Sequence, residues 1–127
     1  MSIYAVDFDQ TLTVGEYKFP GTGKPNIGLF NFLIEKQKAG CDVVLWTCRE
    51  GDDLAVAVGY CRNLGLEFDA VNDNIPRMKE AWGDNPRKVF ADCYIDDRAV
   101  NSYTELLPKS KVEQKEIPKK KARIIRR

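Results

Sequence analysis

Three short apolar runs, each ending in an oxygen-bearing side chain, constrain this chain most. Residues 2–8 (SIYAVDF) run into Asp7 and Asp9, residues 42–46 (DVVLW) run into Thr47, and residues 89–95 (VFADCYI) run into Asp96 and Asp97. Runs of four to seven apolar residues rich in β-formers read as strands buried on both faces, as in a parallel sheet. Helical patterns lie between them. Pro25 and Asn26 open one in which Ile27, Phe30, Leu33 and Ile34 recur at helical spacing up to Lys38, with Gly40 where a C-terminal glycine belongs. A second carries Leu54, Val58, Cys61 and Leu64 on one face, capped by Asp52 or Asp53, with Gly65 past its end. Strands alternating with helices imply right-handed crossovers, giving an α/β, three-layer Rossmann-like fold around a mainly parallel sheet.

The intervals are less regular. Residues 9–26 hold Gly15, Pro20, Gly21, Gly23 and Pro25, too much punctuation for a helix, and a small β-flap is expected around residues 16–19. A short strand is expected at residues 68–71, a helical turn at 77–82 and a last helix over 102–107, stopped by Pro108. At 127 residues the chain suits one compact domain, placed at residues 1–108, followed by a basic and flexible tail at 109–127.

Composition removes several chemistries. The chain has no histidine, which excludes Ser-His-Asp triads, histidine phosphatases and most zinc sites. Its four cysteines (Cys41, Cys48, Cys61 and Cys93) form no C-x-x-C pair, and none is followed six positions later by arginine, the spacing of a cysteine phosphatase loop. Unpaired cysteines in apolar stretches suit a reducing, cytoplasmic setting. The opening MSIYAVDFD has no basic region or cleavage site of the secretory kind, and no apolar run approaches the ~20 residues of a membrane span, so no membrane association is expected.

Charge is divided unevenly. From Lys109 onward nine lysines and arginines face two glutamates, a net +7, while the preceding 108 residues carry eleven basic against seventeen acidic side chains, a net −6. Clustered lysines and arginines can bind nucleic acid by releasing counterions from its phosphates, although such a tail more often only solubilises.

Ligands of parallel sheets sit at the carboxyl ends of the strands, and there the sequence places Asp7, Asp9, Asp96 and Asp97. Four carboxylates at one edge repel each other unless a cation sits among them, and oxygen donors of this kind select Mg2+. With Mg2+ neutralising phosphoryl oxygens, Asp7 is placed to attack phosphorus, and Asp9, two residues on, to protonate the leaving alcohol and later deprotonate water.

The same residues resemble the haloacid dehalogenase superfamily of phosphohydrolases. Its first motif, aspartate-x-aspartate-x-threonine, appears as Asp7-Phe8-Asp9-Gln10-Thr11. Its second appears as VVLWT ending at Thr47, its third as Lys88, and its fourth as YIDD ending at Asp96 and Asp97. The resemblance covers about residues 3–107. It implies that Thr47 hydrogen-bonds the phosphoryl group, that Lys88 screens charge near Asp7, that Asp96 binds Mg2+ with Asp97 close behind, and that Asp9 lends its backbone carbonyl to the metal. Lys88 stands only eight residues before Asp96, so Lys79 or Arg87 are alternatives for that role. An acid at Asp9 favours phosphate esters over haloacids.

The spacing from Asp9 to Thr47, and from Thr47 to Lys88, leaves no room for the inserted cap domain of many relatives. A capless member acts on large phosphorylated substrates, nucleic-acid ends included, or closes its site by homo-oligomerisation. Thr11, Lys24 and Arg49, with Tyr17, Lys18 and Glu50, are the candidate substrate contacts. A phosphoacceptor signalling domain uses a similar residue set, but there the acidic pair comes early and the lysine last, the reverse of the order here. The string PGTGKPN is not a phosphate-binding loop: Lys18 stands where its first glycine belongs and Pro25 where its hydroxyl belongs.

Overall fold

The structure, a computed structural model, describes residues 1–99. Its compact unit is Met1–Asp97, and a second unit begins at Arg98. The helix expected at 102–107, the boundary at 108 and the basic tail lie outside the described residues.

Along the chain come β1 (Ile3–Val6), a wide turn over Phe8–Leu12, β2 (Thr13–Val14), β3 (Lys24–Pro25), α1 (Ile27–Lys38), β4 (Asp42–Leu45), α2 (Gly51–Asn63), β5 (Ala70–Val71), α3 (Pro76–Trp82) and β6 (Cys93–Ile95). Four strands form a parallel sheet in the order β5-β4-β1-β6, and β2 pairs with β3 as a separate antiparallel ribbon. The fold class is therefore as expected, α/β with helices on both faces of a parallel sheet.

Alternation along the strands assigns the two faces. Val6, Val43 and Leu45 point to one side, where Phe30 and Leu33 of α1 and Ala57 and Cys61 of α2 bury them. Ile3, Ala5 and Val44 point to the other and pack with Ile75, Val89 and Ala91, and with Met78 of α3. No helix among the described residues is long and apolar enough to cross a membrane.

Several expected boundaries shift. β1 and β4 each stop one or two residues early, although Trp46 still donates to the Val6 carbonyl at 2.9 Å. The strand expected at 89–95 is reduced to Cys93–Ile95: the Tyr94 hydroxyl takes up the Val89 carbonyl and the Ala91 amide, and the Asp92 carboxylate accepts from the Ile3 amide at 2.7 Å. Likewise Asp69 brackets Val43 with its amide and carboxylate, leaving only Ala70–Val71 as strand. The flap forms, but its paired residues are Thr13–Val14 and Lys24–Pro25 rather than 16–19.

Asn26 caps α1 as expected, its side-chain oxygen accepting from the Leu29 amide, and Gly40 follows at φ +99°, a conformation that suits glycine. α2 departs from expectation. Glu50 occupies its cap position without a side-chain bond, and Asp52 and Asp53 fall inside the first turn, where their charges meet the positive end of the helix dipole.

Candidate metal and phosphoryl-transfer site

Strand order creates the site. From β1 the chain moves out through β4 to β5, then returns to lay β6 on the opposite side of β1. β1 and β6 are therefore neighbours, and their carboxyl ends lie side by side at the edge where ligands of such sheets sit. The β1–β6 register pairs Val6 with Ile95, and the Asp7 amide donates to the Ile95 carbonyl at 3.0 Å, which brings Asp7 level with Asp96.

Carboxylate oxygens of Asp7, Asp96 and Asp97 lie within 4.8 Å of one another. Asp7 is half-buried, whereas Asp96 and Asp97 are exposed. Burial pushes the Asp7 pKa from an ordinary 3.8 to about 6, and the Asp96 and Asp97 charges push the same way, against the lowering effects of hydrogen bonds from the Phe8 amide and the Thr47 hydroxyl. Three clustered oxygen donors without nitrogen or sulfur suit a hard divalent cation such as Mg2+.

The turn after Asp7 is unusual. The Thr13 amide reaches back five residues to the Phe8 carbonyl, while Asp9 and Gln10 leave helical geometry, Gln10 at φ +61°. That excursion brings the Asp9 side chain to Arg49, whose Nε and Nη2 meet its two oxygens at 2.8 Å each. Asp9 raises the Arg49 pKa further above its already high value. Of the four acids expected to hold a metal, Asp7, Asp96 and Asp97 supply clustered side-chain oxygens, while Asp9, expected to contribute its backbone carbonyl, has its carboxylate bound to Arg49.

Thr47, next to the end of β4, reaches Asp7 with its hydroxyl, and its own amide is held by Asn72 Oδ1 at 2.8 Å. Asn72, at φ +50°, also donates to the Arg49 carbonyl, so it shapes the turn after β4. Asn74 is buried, accepts from the Phe90 amide and donates to Asn85 and Pro86, which ties down the segment ahead of Lys88. Neither asparagine announces itself in the sequence.

Two of the expected substrate contacts are internal. Arg49 is 3% exposed, and Thr11 is 7% exposed with its hydroxyl accepting from the Asp97 amide. Lys24 is exposed on β3, opposite Val14. Lys88 lays its ammonium 5.2 Å from the centre of the Tyr94 ring, whereas Lys79 pairs with Asp73 at 2.8 Å. An open depression of about 580 Å³, lined in part by Gln10, Asn26, Leu29, Ile95, Asp96 and Asp97, adjoins the acidic cluster.

With 34% identity and a TM-score of 0.67, the structure of a conserved protein coded by a locus from Bacteroides thetaiotaomicron matches 98% of this chain and 95% of its own. The chain belongs to that protein's family. No protein-family model matches the chain, and neither does any curated protein.

Proposed function

We propose that the protein is a Mg2+-dependent phosphomonoester hydrolase of the haloacid dehalogenase type, with Asp7 as nucleophile and Asp9 as general acid and base. The observation that carries this reading is the convergence of the Asp7, Asp96 and Asp97 carboxylates within 4.8 Å at the carboxyl edge of a parallel sheet, beside the Thr47 hydroxyl. Asp7, Asp96 and Asp97 would hold Mg2+, which when bound neutralises the carboxylates and the phosphoryl oxygens.

An Asp7 oxygen attacks phosphorus, the P–O bond to the alcohol breaks, and the departing oxygen takes a proton from Asp9. Thr47 turns its hydroxyl from Asp7 to a phosphoryl oxygen. Water then attacks phosphorus, gives its proton to Asp9 and releases inorganic phosphate, returning Asp7 to a free carboxylate. An Asp7 pKa near 6 leaves the nucleophile largely ionised at pH 7.

Only a two-stranded ribbon and α1 lie between Asp9 and β4, with no inserted cap domain there, which favours bulky phosphorylated partners. Ends of nucleic acids are one such class, for which the +7 tail would supply backbone contacts. Hydrolysis of p-nitrophenyl phosphate should require Mg2+, stop on chelation and vanish in Asp7→Asn, while undiminished turnover in that variant sinks the nucleophile assignment. A screen of phosphorylated sugars, nucleotides and 3′- or 5′-phosphorylated oligonucleotides would identify the substrate.

A further inference from the structure

Arg49 is the most completely enclosed charge among the described residues, its side chain 1% exposed. Each of its five N–H groups has an acceptor. Nε and one Nη2 hydrogen meet the two oxygens of Asp9, and the other Nη2 hydrogen meets the Gly21 carbonyl at 2.8 Å. Nη1 donates to the Pro20 carbonyl at 2.9 Å and to the Asp53 carbonyl at 3.3 Å. Its central carbon lies 5.0 Å from the Phe8 ring centre and 4.9 Å from that of Phe19.

One planar group thus touches Asp9, the loop of residues 15–23 between β2 and β3, and the first turn of α2. A fork of fixed geometry transmits position, because a shift in any one partner misaligns its bonds to the others. The loop's contribution is two backbone carbonyls and the ring of Phe19, which is 56% exposed. Asp9 has both oxygens engaged, so its placement relative to a leaving group is set by the guanidinium rather than by solvent.

The geometry points to Arg49 as a positioning residue that couples the docking of the 15–23 loop to the placement of Asp9, so that contact between substrate and loop governs delivery of the proton. The catalytic half of this inference rests on the phosphatase reading; the mechanical half does not.

Hydrogen exchange resolved by peptide, on the full chain, tests the mechanical half. Asp9→Asn and Arg49→Lys should each speed exchange across residues 15–23 by roughly tenfold or more, the loss expected for hydrogen bonds to charged groups. Phe19→Ala, at an exposed position that the fold tolerates, should speed it less. Loop exchange unchanged in both Asp9→Asn and Arg49→Lys overturns the proposal.

Leaving groups test the catalytic half. Through kcat/KM, which reports the transfer to Asp7, Arg49→Lys should lose roughly 100-fold on an alkyl phosphate, as Asp9→Asn does. On 2,4-dinitrophenyl phosphate, whose leaving group departs without a proton, the loss in Arg49→Lys should shrink to roughly threefold or less, because acid catalysis contributes little there. Equal losses on both esters indicate a purely structural arginine and overturn the positioning role. Failure of the unsubstituted protein to hydrolyse either ester would sink the phosphatase reading, leaving the coupling to be judged by exchange.

Discussion

The hydroxyl of Thr11 accepts a hydrogen bond from the Asp97 amide at 3.1 Å, across 86 positions of sequence. The Thr11 carbonyl also accepts from Asn26 Nδ2 at 3.1 Å, so one residue ties the turn after β1 to the acidic turn after β6 and to the cap of α1. Thr11→Val keeps the volume and removes the acceptor. It should cost about 1 kcal/mol in denaturant unfolding. By loosening Asp97 it should also weaken Mg2+ binding about tenfold, read from metal-dependent shifts in Tm. Lost stability with unchanged metal affinity would limit Thr11 to a structural tie.

Asp7 is held at a cost to stability. Its folded pKa near 6 lies above its unfolded value, so between those values the native state binds a proton that the unfolded state lacks. Stability from this group therefore rises as pH falls through 6 and levels off below about 4. Without Mg2+, Asp7→Asn should be more stable than the unsubstituted protein by about 1–3 kcal/mol above pH 6, the gap closing towards pH 4. Mg2+ should stabilise the unsubstituted protein, more strongly at pH 7 than at pH 5, and should not stabilise the variant. Equal Mg2+ stabilisation of both would remove Asp7 from the metal set.

The role of the third motif separates by substitution. Lys79 and Asp73 form a partly exposed pair, and the hydrogen bonds from Lys79 and Asn85 hold the Asp73 carboxyl below the usual carboxylate range. Lys79→Met should cost no more than about 1 kcal/mol and spare hydrolysis. Lys88→Met should lower kcat/KM by about 100-fold with little change in Tm. The opposite pattern would assign the role to Lys79.

Thiol accessibility checks the packing directly. Cys48 and Cys93 are exposed, whereas Cys61 is fully buried under the sheet and burial pushes its pKa up to about 12. Ellman's reagent should modify Cys48 and Cys93 in the native protein and reach Cys61 only on unfolding. Leu45→Ala, emptying the same core, should cost about 2–5 kcal/mol and expose Cys61 to the reagent.

The strand ends were legible because each apolar run stops at a chemically distinct residue. Asp7, Thr47 and Asp96 stand at or beside the ends of β1, β4 and β6, and the structure gathers Asp7, Asp96 and Asp97. Less legible were features made by contacts between distant side chains. Apolar character at 89–91 suggested strand, yet Tyr94 and Asp92 supply hydrogen bonds that a ladder would otherwise make. Arg49 follows a strand end, where a cation usually faces solvent; only Phe8 and Phe19, remote in sequence, reveal its enclosure once the chain has folded. Asn72 and Asn74 carry no pattern, because their function is to satisfy backbone groups whose positions the sequence does not display.

The most direct test of Asp7 as nucleophile is acid quenching during turnover of p-nitrophenyl phosphate with Mg2+, followed by mass mapping of the peptide containing Asp7. A phosphoryl adduct on Asp7, labile to hydroxylamine and absent from Asp7→Asn, is the expected result. Hydrolysis that proceeds with no such adduct, and at an unchanged rate in Asp7→Asn, would contradict the assignment.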